Sequence, residues 1–463
     1  MSSSSATAKR KSAAQFRCAE CGWTTAKWAG RCGECQAWGT VEEVGGAATR
    51  STTAARVAVP ARPIAEVSVE SATAAPTGVG ELDRVLGGGI VPGAVVLLAG
   101  EPGVGKSTLL LDVASRAASH GRTVLYISGE ESEAQIRLRA ERIGALRPRL
   151  LLASETDLGT VLGHIEKSEP DLLVVDSVQT IASSQVDGSA GGVTQVREVA
   201  GCLIREAKDK GLATILVGHV TKDGSIAGPR MLEHLVDVVC QFEGERHSRL
   251  RMVRAVKNRY GPTDEVGCFD LNESGITGLP DPSGLFLSRM TEPVSGTCVT
   301  VSLEGRRPLV AEIQALVSEC AGGAPRRATS GLDTNRVAMV LAVLGKRLNI
   351  PLARKDVYAA TVGGAKVTEP TADLATALAL ASAHLEQTFP FRLVAFGEVG
   401  LSGEVRTVPG CHRRLMEAAR LGFTHAIVPA GTADGTPTPE NMKVLEVSQL
   451  YEALHAALPN TPA

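Results

Sequence analysis

No run in this chain is both apolar enough and long enough to span a bilayer, so a helical membrane anchor is not expected. The opening MSSSSATAKRKSAAQ lacks the apolar core of a signal peptide and reads as a disordered basic arm over residues 1–15. Net charge is nearly absent, at −2 over 463 residues. That excludes a polycation that binds nucleic acid over its whole surface, so any such surface must be local. Cysteine is scarce, with ten in all, and six of them (Cys202, Cys240, Cys268, Cys298, Cys320 and Cys411) stand singly. They read as small buried hydrophobes in a reducing compartment, which places the protein in the cytoplasm. The remainder, 44% apolar and 21% charged residues, is the composition of a globular chain long enough for two or three domains.

The other four cysteines crowd into CAECGWTTAKWAGRCGECQAWGTVEE. Cys18/Cys21 and Cys32/Cys35 are two C-x-x-C pairs with ten residues between them. Each pair makes a tight knuckle whose thiolates face one point, and two knuckles supply the four ligands of a tetrahedral Zn²⁺ site. A reducible disulfide pair and an iron–sulfur centre are the alternatives; the knuckles and the short loop favour zinc. Four thiolates leave no open position for catalysis, so the metal holds a small module together, a zinc finger over residues 16–44. The first 41 residues carry Lys9, Arg10, Lys11, Arg17, Lys27 and Arg31 against Glu20 and Glu34, which makes this region locally basic.

Residues 45–76 are dominated by small residues and prolines and read as a linker. From residue 77 the pattern changes. AVVLLAG, TVLYIS, DLLVVDS and ATILVGHV are short apolar runs suited to buried strands, and helical patterns such as TQVREVAGCLIREAKDKG lie between them. Such alternation implies an α/β domain, a parallel sheet covered on both faces, over residues 77–280. DPSGLF near 281–286 marks a boundary. Residues 285–463 then mix strands such as GTCVTVSLEG with helices such as TNRVAMVLAVLGKRL and DLATALALASAHLEQ, a second α/β or α+β unit.

GEPGVGKS follows the first strand and fits G-x-x-x-x-G-K-[ST] at every position. Gly100, Glu101, Pro102, Gly103, Val104 and Gly105 form a loop whose amides wrap phosphate oxygens, and the helix behind it adds its N-terminus. Lys106 reaches the β/γ-phosphates, Ser107 binds Mg²⁺, and Thr108 completes the ATP site. Asp176 ends the third strand, where a carboxylate can anchor Mg²⁺ through water. Glu130 and Glu131 follow the second strand at the same sheet edge, and one of them activates the attacking water. Gln179 and His219 lie just past the third and fourth strands, placed to sense the γ-phosphate.

RHSRLRMVRAVKNR, residues 246–259, holds six basic residues and no acidic one. At its end Lys257 and Arg259 stand two apart on one strand face, as a trans-acting basic pair at a neighbour's nucleotide would. Its other cations, and Lys222 and Arg230 in a glycine-rich loop over 221–230, are candidates for nucleic-acid phosphates; in a ring that loop and the glycine-rich loop over 183–192 would reach the central channel.

Taken together, a four-cysteine module followed by GEPGVGKST, YISGEES, LLVVDS, GHVTKDG and KNRYG resembles the RadA (Sms) family of bacterial DNA repair proteins over about residues 16–455. Tyr260 stands where that family usually has Phe. The resemblance implies a RecA-like P-loop ATPase core, a homo-hexamer and a DNA-dependent ATPase. Such a motor binds single-stranded and branched DNA and promotes branch migration with the RecA recombinase. It implies Glu130 as the water-activating carboxylate, Asp176 as the metal carboxylate, and Lys257 and Arg259 as the pair that couples ATP, DNA and the adjacent subunit. It also implies a Lon-protease-like last domain, without peptidase activity. Thr371 occupies the nucleophile position there, His412 the position of the base, and Asp373 reads as a helix-start cap; Arg406, Arg413 and Arg414 would offer a further DNA surface. The competing readings are a regulatory RecA-type ATPase without translocation, an ATP-dependent peptidase, and a non-enzymatic scaffold.

Overall fold

The computed structural model describes residues 15–44, 63–66, 73–219, 229–244, 249–288, 293–320, 322–389, 392–433 and 437–458. The basic arm, most of the linker, Lys222 and Arg246 lie outside the described residues, as does the side chain of Arg230. The chain divides into two compact units, residues 1–68 and 69–463. Among the described residues no helix is long and apolar enough to cross a membrane.

The first unit is a three-stranded antiparallel sheet in the order β2-β1-β3, with β1 Gln15–Cys18, β2 Thr24–Thr25 and β3 Val41–Val44. So small a sheet has little core of its own. Cys18, Cys32 and Val41 are buried, with Phe16 and Trp23 packed against them. The four cysteines must therefore do what a hydrophobic core does in a larger domain.

The second unit begins with α1 (Gly80–Leu86), β4 (Val95–Gly100), α2 (Lys106–Ser119), β5 (Val124–Ser128), α3 (Glu133–Arg142), β6 (Leu150–Ser154), α4 (Leu158–Ser168) and β7 (Leu172–Asp176). α5 (Val193–Lys210), β8 (Ala213–His219), α6 (Pro229–Glu233), β9 (Val238–Glu243), β10 (Leu250–Asn258), β11 (Val266–Asn272) and β12 (Gly275–Gly278) follow. The strands form one sheet in the order β12-β11-β10-β9-β4-β8-β7-β5-β6. From β6 to β9 the pairing is parallel, and from β9 to β12 antiparallel. The apolar runs follow from this position. In β4, Val96 and Leu98 face the core under α1 and α2, while Val95 and Leu97 face the core under α4 and α5. Both sides of the strand are buried, so both parities must be apolar.

The chain then forms β13 (Thr297–Glu304), β14 (Arg307–Glu319), β15 (Arg327–Ser330), α7 (Thr334–Arg347), β16 (Lys355–Thr361) and α8 (Asp373–Leu385). β17 (Leu393–Ala395), β18 (Glu398–Val399), β19 (Val405–Arg406), α9 (Cys411–Arg420), β20 (His425–Pro429), β21 (Lys443–Val447) and α10 (Leu450–Ala457) complete it. A second sheet has the order β15-β16-β14-β13-β17-β20-β21. Its core around α8 is continuous with Leu250, Val266 and Cys268 of the first sheet, so the two sheets share buried surface.

Charge marks the same joint. Arg307, at the start of β14, and Glu81, in α1, are both buried and ion-paired. Arg307 also donates to the carbonyls of Val266 (3.1 Å), Leu279 (3.0 Å) and Pro280 (2.6 Å), and Glu81 accepts from the amide of Cys268 at 2.9 Å. Removing one partner strands the other charge without water. Glu81→Ala should therefore destabilise the unit by about 3–5 kcal/mol, whereas Glu81→Leu combined with Arg307→Met should recover much of that loss. Denaturant unfolding of the three proteins is the measurement, and equal losses in the single and double variants would contradict it.

Candidate functional site

The loop between β4 and α2 is shaped by its glycines. Gly105 has φ +112° at the N-cap of α2, a conformation few other residues adopt. A Cβ on Gly100 would stand 2.4 Å from the carbonyl oxygen of Phe242. α2 has no side-chain cap and no acidic residue in its first turn, so its free amides and positive dipole end are left for an anion. Lys106 is buried, and its Nζ donates to the carbonyls of Gly100 (2.8 Å) and Glu101 (3.0 Å). Burial pushes its ammonium down to about 8, against the pull of Asp176 and Glu130.

Asp176 ends β7 within this cluster, and one of its oxygens accepts a 2.8 Å hydrogen bond from the Tyr126 hydroxyl. Tyr126 is buried. Desolvation, with the adjacent Asp176 charge, raises its pKa well above the usual value, so the hydroxyl stays protonated and donates. Tyr126 thus fixes the carboxylate that sequence reading singled out, although that reading gave Tyr126 no role. A buried tyrosine in the strand beside β7 was the available signal.

The two consecutive glutamates differ. Glu131 is gripped by the Arg139 guanidinium through two bonds of 2.6 Å, which leaves its carboxylate already paired. Glu130 instead accepts from Ser177 Oγ at 2.6 Å, and His219 Nε2 lies 3.1 Å from it without hydrogen-bond alignment. Gln179 clamps the main chain of His219, accepting from its amide at 3.3 Å and donating to its carbonyl at 3.2 Å. Lys106, Asp176, Glu130, Gln179 and His219 therefore gather at the C-terminal edge of the parallel strands.

Lys257 and Arg259 are not in that group. They lie at the other end of β4. There Asp237, a buried carboxylate, accepts from the amide of Val95 (3.0 Å), from Lys208 (2.6 Å) and from Arg259 (3.2 Å). A bulge between Ala255 and Lys257 turns the lysine toward α6, where it donates to the carbonyls of Glu233 (2.7 Å) and Val236 (2.8 Å). Desolvation, with Arg259 nearby, lowers the Lys257 pKa. The six residues of β4 put about 16 Å between this pair and the P-loop of the same chain.

The remaining described cations of the basic stretch depart from the expectation of a nucleic-acid surface. Arg249 pairs with Asp270 at 2.5 Å. Arg251 is buried and donates to the P-loop carbonyl of Val104 at 3.1 Å. Arg254 pairs with Glu304 at 2.9 Å and lies 3.5 Å from Glu243. Arg414 departs likewise: it is buried and bonded to Glu369 (2.8 and 3.0 Å) and to the Val301 carbonyl, so it offers no DNA surface. Asp373 is not a cap. It starts α8 itself, pairs with Arg336 and accepts from the amide of Val399 at 3.1 Å. Thr371 is buried in the turn before α8, and the His412 Nδ1 finds no partner; among the described residues no hydrogen bond joins the two.

In the first unit the four ligand sulfurs of Cys18, Cys21, Cys32 and Cys35 lie within 4.8 Å of one another. Cys18 and Cys35 are 3.7 Å apart, and Cys21 and Cys32 3.5 Å apart. A ZnS₄ tetrahedron with bonds of about 2.3 Å has edges of about 3.8 Å, whereas a disulfide needs about 2.05 Å. The Thr40 hydroxyl at 3.2 Å and neighbouring amides hold the Cys18 thiol down to about 6. An amide bond at Ala37 favours the Cys35 thiolate, yet burial and the other three sulfurs push that thiol up to about 12. Four thiolates cannot ionise together without a compensating cation, and Zn²⁺ is the ion this donor set fits.

A rubredoxin metal binding domain model matches residues 16–43, and an AAA domain model matches residues 73–225. The "DNA repair protein RadA" of Mycobacterium tuberculosis is 55% identical over 448 residues, covering 95% of this chain and 92% of that one. The protein of that name from Mycolicibacterium smegmatis is 54% identical over 453 residues, covering 95% and 96%. That from Bacillus subtilis is 44% identical over 455 residues, covering 97% and 99%. A solved KaiC-like protein of Pyrococcus horikoshii matches 45% of this chain and all of its own at 20% identity and a TM-score of 0.38, too loosely to decide anything.

The depressed Lys106 gives a pH signature. Its folded pKa, about 8, is below the ordinary lysine value, so the free protein loses this proton as pH rises through about 8. A triphosphate beside the amine favours the ammonium, so binding near and above that pH must take up a proton, and affinity must fall as pH rises. Calorimetric titration with a non-hydrolysable ATP analogue, in buffers of different ionisation enthalpy, should show this uptake in the wild type and not in Lys106→Ala. Identical proton uptake in the two proteins would contradict the assignment.

Proposed function

The chain belongs to the RadA family of DNA repair proteins, and from that premise we propose that it is a DNA-dependent ATPase that works as a ring on recombination intermediates. The observation that carries the ring is the separation of the two basic sites. Lys106 serves the P-loop of its own chain, while Lys257 and Arg259 sit at the opposite end of the sheet, beyond reach of the same nucleotide. In this reading the phosphate partner of that pair comes from another copy. A head-to-tail contact of this kind repeats until it closes, and six subunits is the closure proposed here.

In this reading residues Gly100 to Thr108 hold ATP, with Lys106 turning from the Gly100 and Glu101 carbonyls to the β/γ-phosphates. Mg²⁺ held by Ser107 and, through water, by Asp176 would neutralise charge on the transferring phosphoryl. Tyr126 keeps the Asp176 carboxylate oriented. Glu130 takes the proton of the attacking water; Glu131 is excluded from that role by its bond to Arg139. Ser177 and His219 flank Glu130, and Gln179 ties His219 to the strand end, so the state of the γ-phosphate is felt at the exit of β8. Arg259 of the adjacent subunit, held by Asp237, stabilises the charge that develops on the phosphoryl oxygens.

The relatives are named for DNA repair; the ligands proposed here are single-stranded and branched DNA, with the RecA recombinase as the partner during branch migration. The measurement is ATP turnover with and without single-stranded DNA. Stimulation supports the proposal, and turnover indifferent to DNA overturns it. Glu130→Gln should bind ATP normally and slow hydrolysis by two or more orders of magnitude. Arg259→Ala and Lys106→Ala should each be inactive alone and recover partial turnover when mixed, because a mixed ring contains intact composite sites. Absence of any recovery would place Arg259 outside the neighbour's site.

Residues 285–463 are proposed as a Lon-protease-like domain that builds the ring and lacks peptidase activity. The supporting observation is chemical: Thr371 is buried, His412 has no bond to it, and Asp373 is committed to Arg336. A hydroxyl without an aligned base is a poor nucleophile. Thr371→Ala should leave ATP turnover unchanged, and ATP-dependent cleavage of an unfolded protein that vanishes in this variant would refute the proposal.

A further inference from the structure

Every tryptophan of the chain is in the zinc module: Trp23, Trp28 and Trp38. Trp23 is structural. It packs against the small core, and a Cβ on Gly33 would stand 2.7 Å from its ring. Trp28 and Trp38 are the opposite, 68% and 75% exposed. Indoles this exposed gain nothing from folding, and a module with so little core would be expected to tuck them in. They are also together. A Cβ on Gly30 would lie 3.6 Å from the ring of Trp28 and 4.0 Å from that of Trp38, so the two edges converge over a residue without a side chain.

Cations accompany them. The Arg31 guanidinium stands 5.7 Å from the Trp38 ring centroid and is held by the Gln36 carbonyl (3.0 Å) and Oε1 (2.6 Å). Neither Arg31 nor Lys27, beside Trp28, makes an ion pair among the described residues. Both rings stand open to solvent. Exposed aromatic rings beside a held guanidinium and a second cation are the features that take stacked bases and the phosphates between them.

We propose that Trp28 and Trp38 form a stacking platform for single-stranded nucleic acid, with Arg31 and Lys27 meeting the backbone. The proposal deepens the DNA-dependent reading and rests on it, and it adds a contact site outside the ATPase unit. Because the chain has no other tryptophan, emission from the full-length, zinc-loaded protein reports on this module alone. Adding oligothymidylate should quench that emission along the same curve that anisotropy of a labelled oligonucleotide gives for binding.

Trp28→Leu and Trp38→Leu keep apolar bulk but remove the π face. Each should weaken oligonucleotide binding by about fivefold or more, while Trp28→Tyr and Trp38→Tyr should stay within about twofold of wild type. Zinc content should be unchanged in all four, since both rings are outside the core. Unchanged emission while the oligonucleotide binds would overturn the proposal. So would Leu variants that bind like wild type. DNA-stimulated ATP turnover on the same preparations separates the two readings: stimulation with silent tryptophans removes the platform and leaves the motor standing.

Discussion

Asp237 carries a buried charge, and the placement of the basic pair follows from how that charge is compensated. A carboxylate out of water must be met by donors or by cations. Here the amide of Val95, the ammonium of Lys208 and the guanidinium of Arg259 meet it. Val95 is the first residue of β4, whose last residue opens the P-loop. One strand therefore joins the carboxylate that holds Arg259 to the loop that holds phosphate. Because β4 is central and buried on both faces, it transmits position and cannot flex independently of its neighbours.

In the proposed ring that rigidity would give a composite nucleotide site its precision. Lys257, bonded to the carbonyls of Glu233 and Val236, ties the same corner to α6. At the other edge, Gln179, in the turn after β7, holds the main chain of His219 at the end of β8. β8 thus ends at a residue beside Glu130, and α6 ends at a carbonyl that holds Lys257.

Much of this was legible in the sequence, for a definable reason. The P-loop and the buried strands are contiguous patterns whose physics is local: glycine conformations, apolar runs and a helix N-terminus. The zinc cluster is legible because two knuckles are each local. What the sequence could not reveal depends on partners far along the chain. Glu130 and Glu131 are chemically the same, and only Arg139 and Ser177 separate them. Tyr126 meets Asp176 across 50 positions, and Arg414 disappears into Val301 and Glu369. Asp373 looked like a cap because it precedes a helix, yet its partners Arg336 and Val399 come from other elements. The tryptophan cluster was readable from composition alone, since all three fall within sixteen residues, but which two are exposed required the fold.

The basic stretch shows how charge density misleads when read alone. Among the described residues from 249 to 259 the five cations divide by position along β10 and its two flanking residues. Arg249 and Arg254 are neutralised by Asp270, Glu243 and Glu304, and Arg251 braces the P-loop through Val104. Lys257 and Arg259 are set apart because the bulge before Lys257 turns the strand end toward α6. Lys257 is held by carbonyls and Arg259 by a carboxylate that it shares with Lys208 and an amide. A guanidinium that shares its anion and stays half exposed retains donors for a second one. What sets this corner apart is geometry: two cations are fixed at one sheet end, while Arg249 and Arg254 are paired with carboxylates and Arg251 is buried against the P-loop.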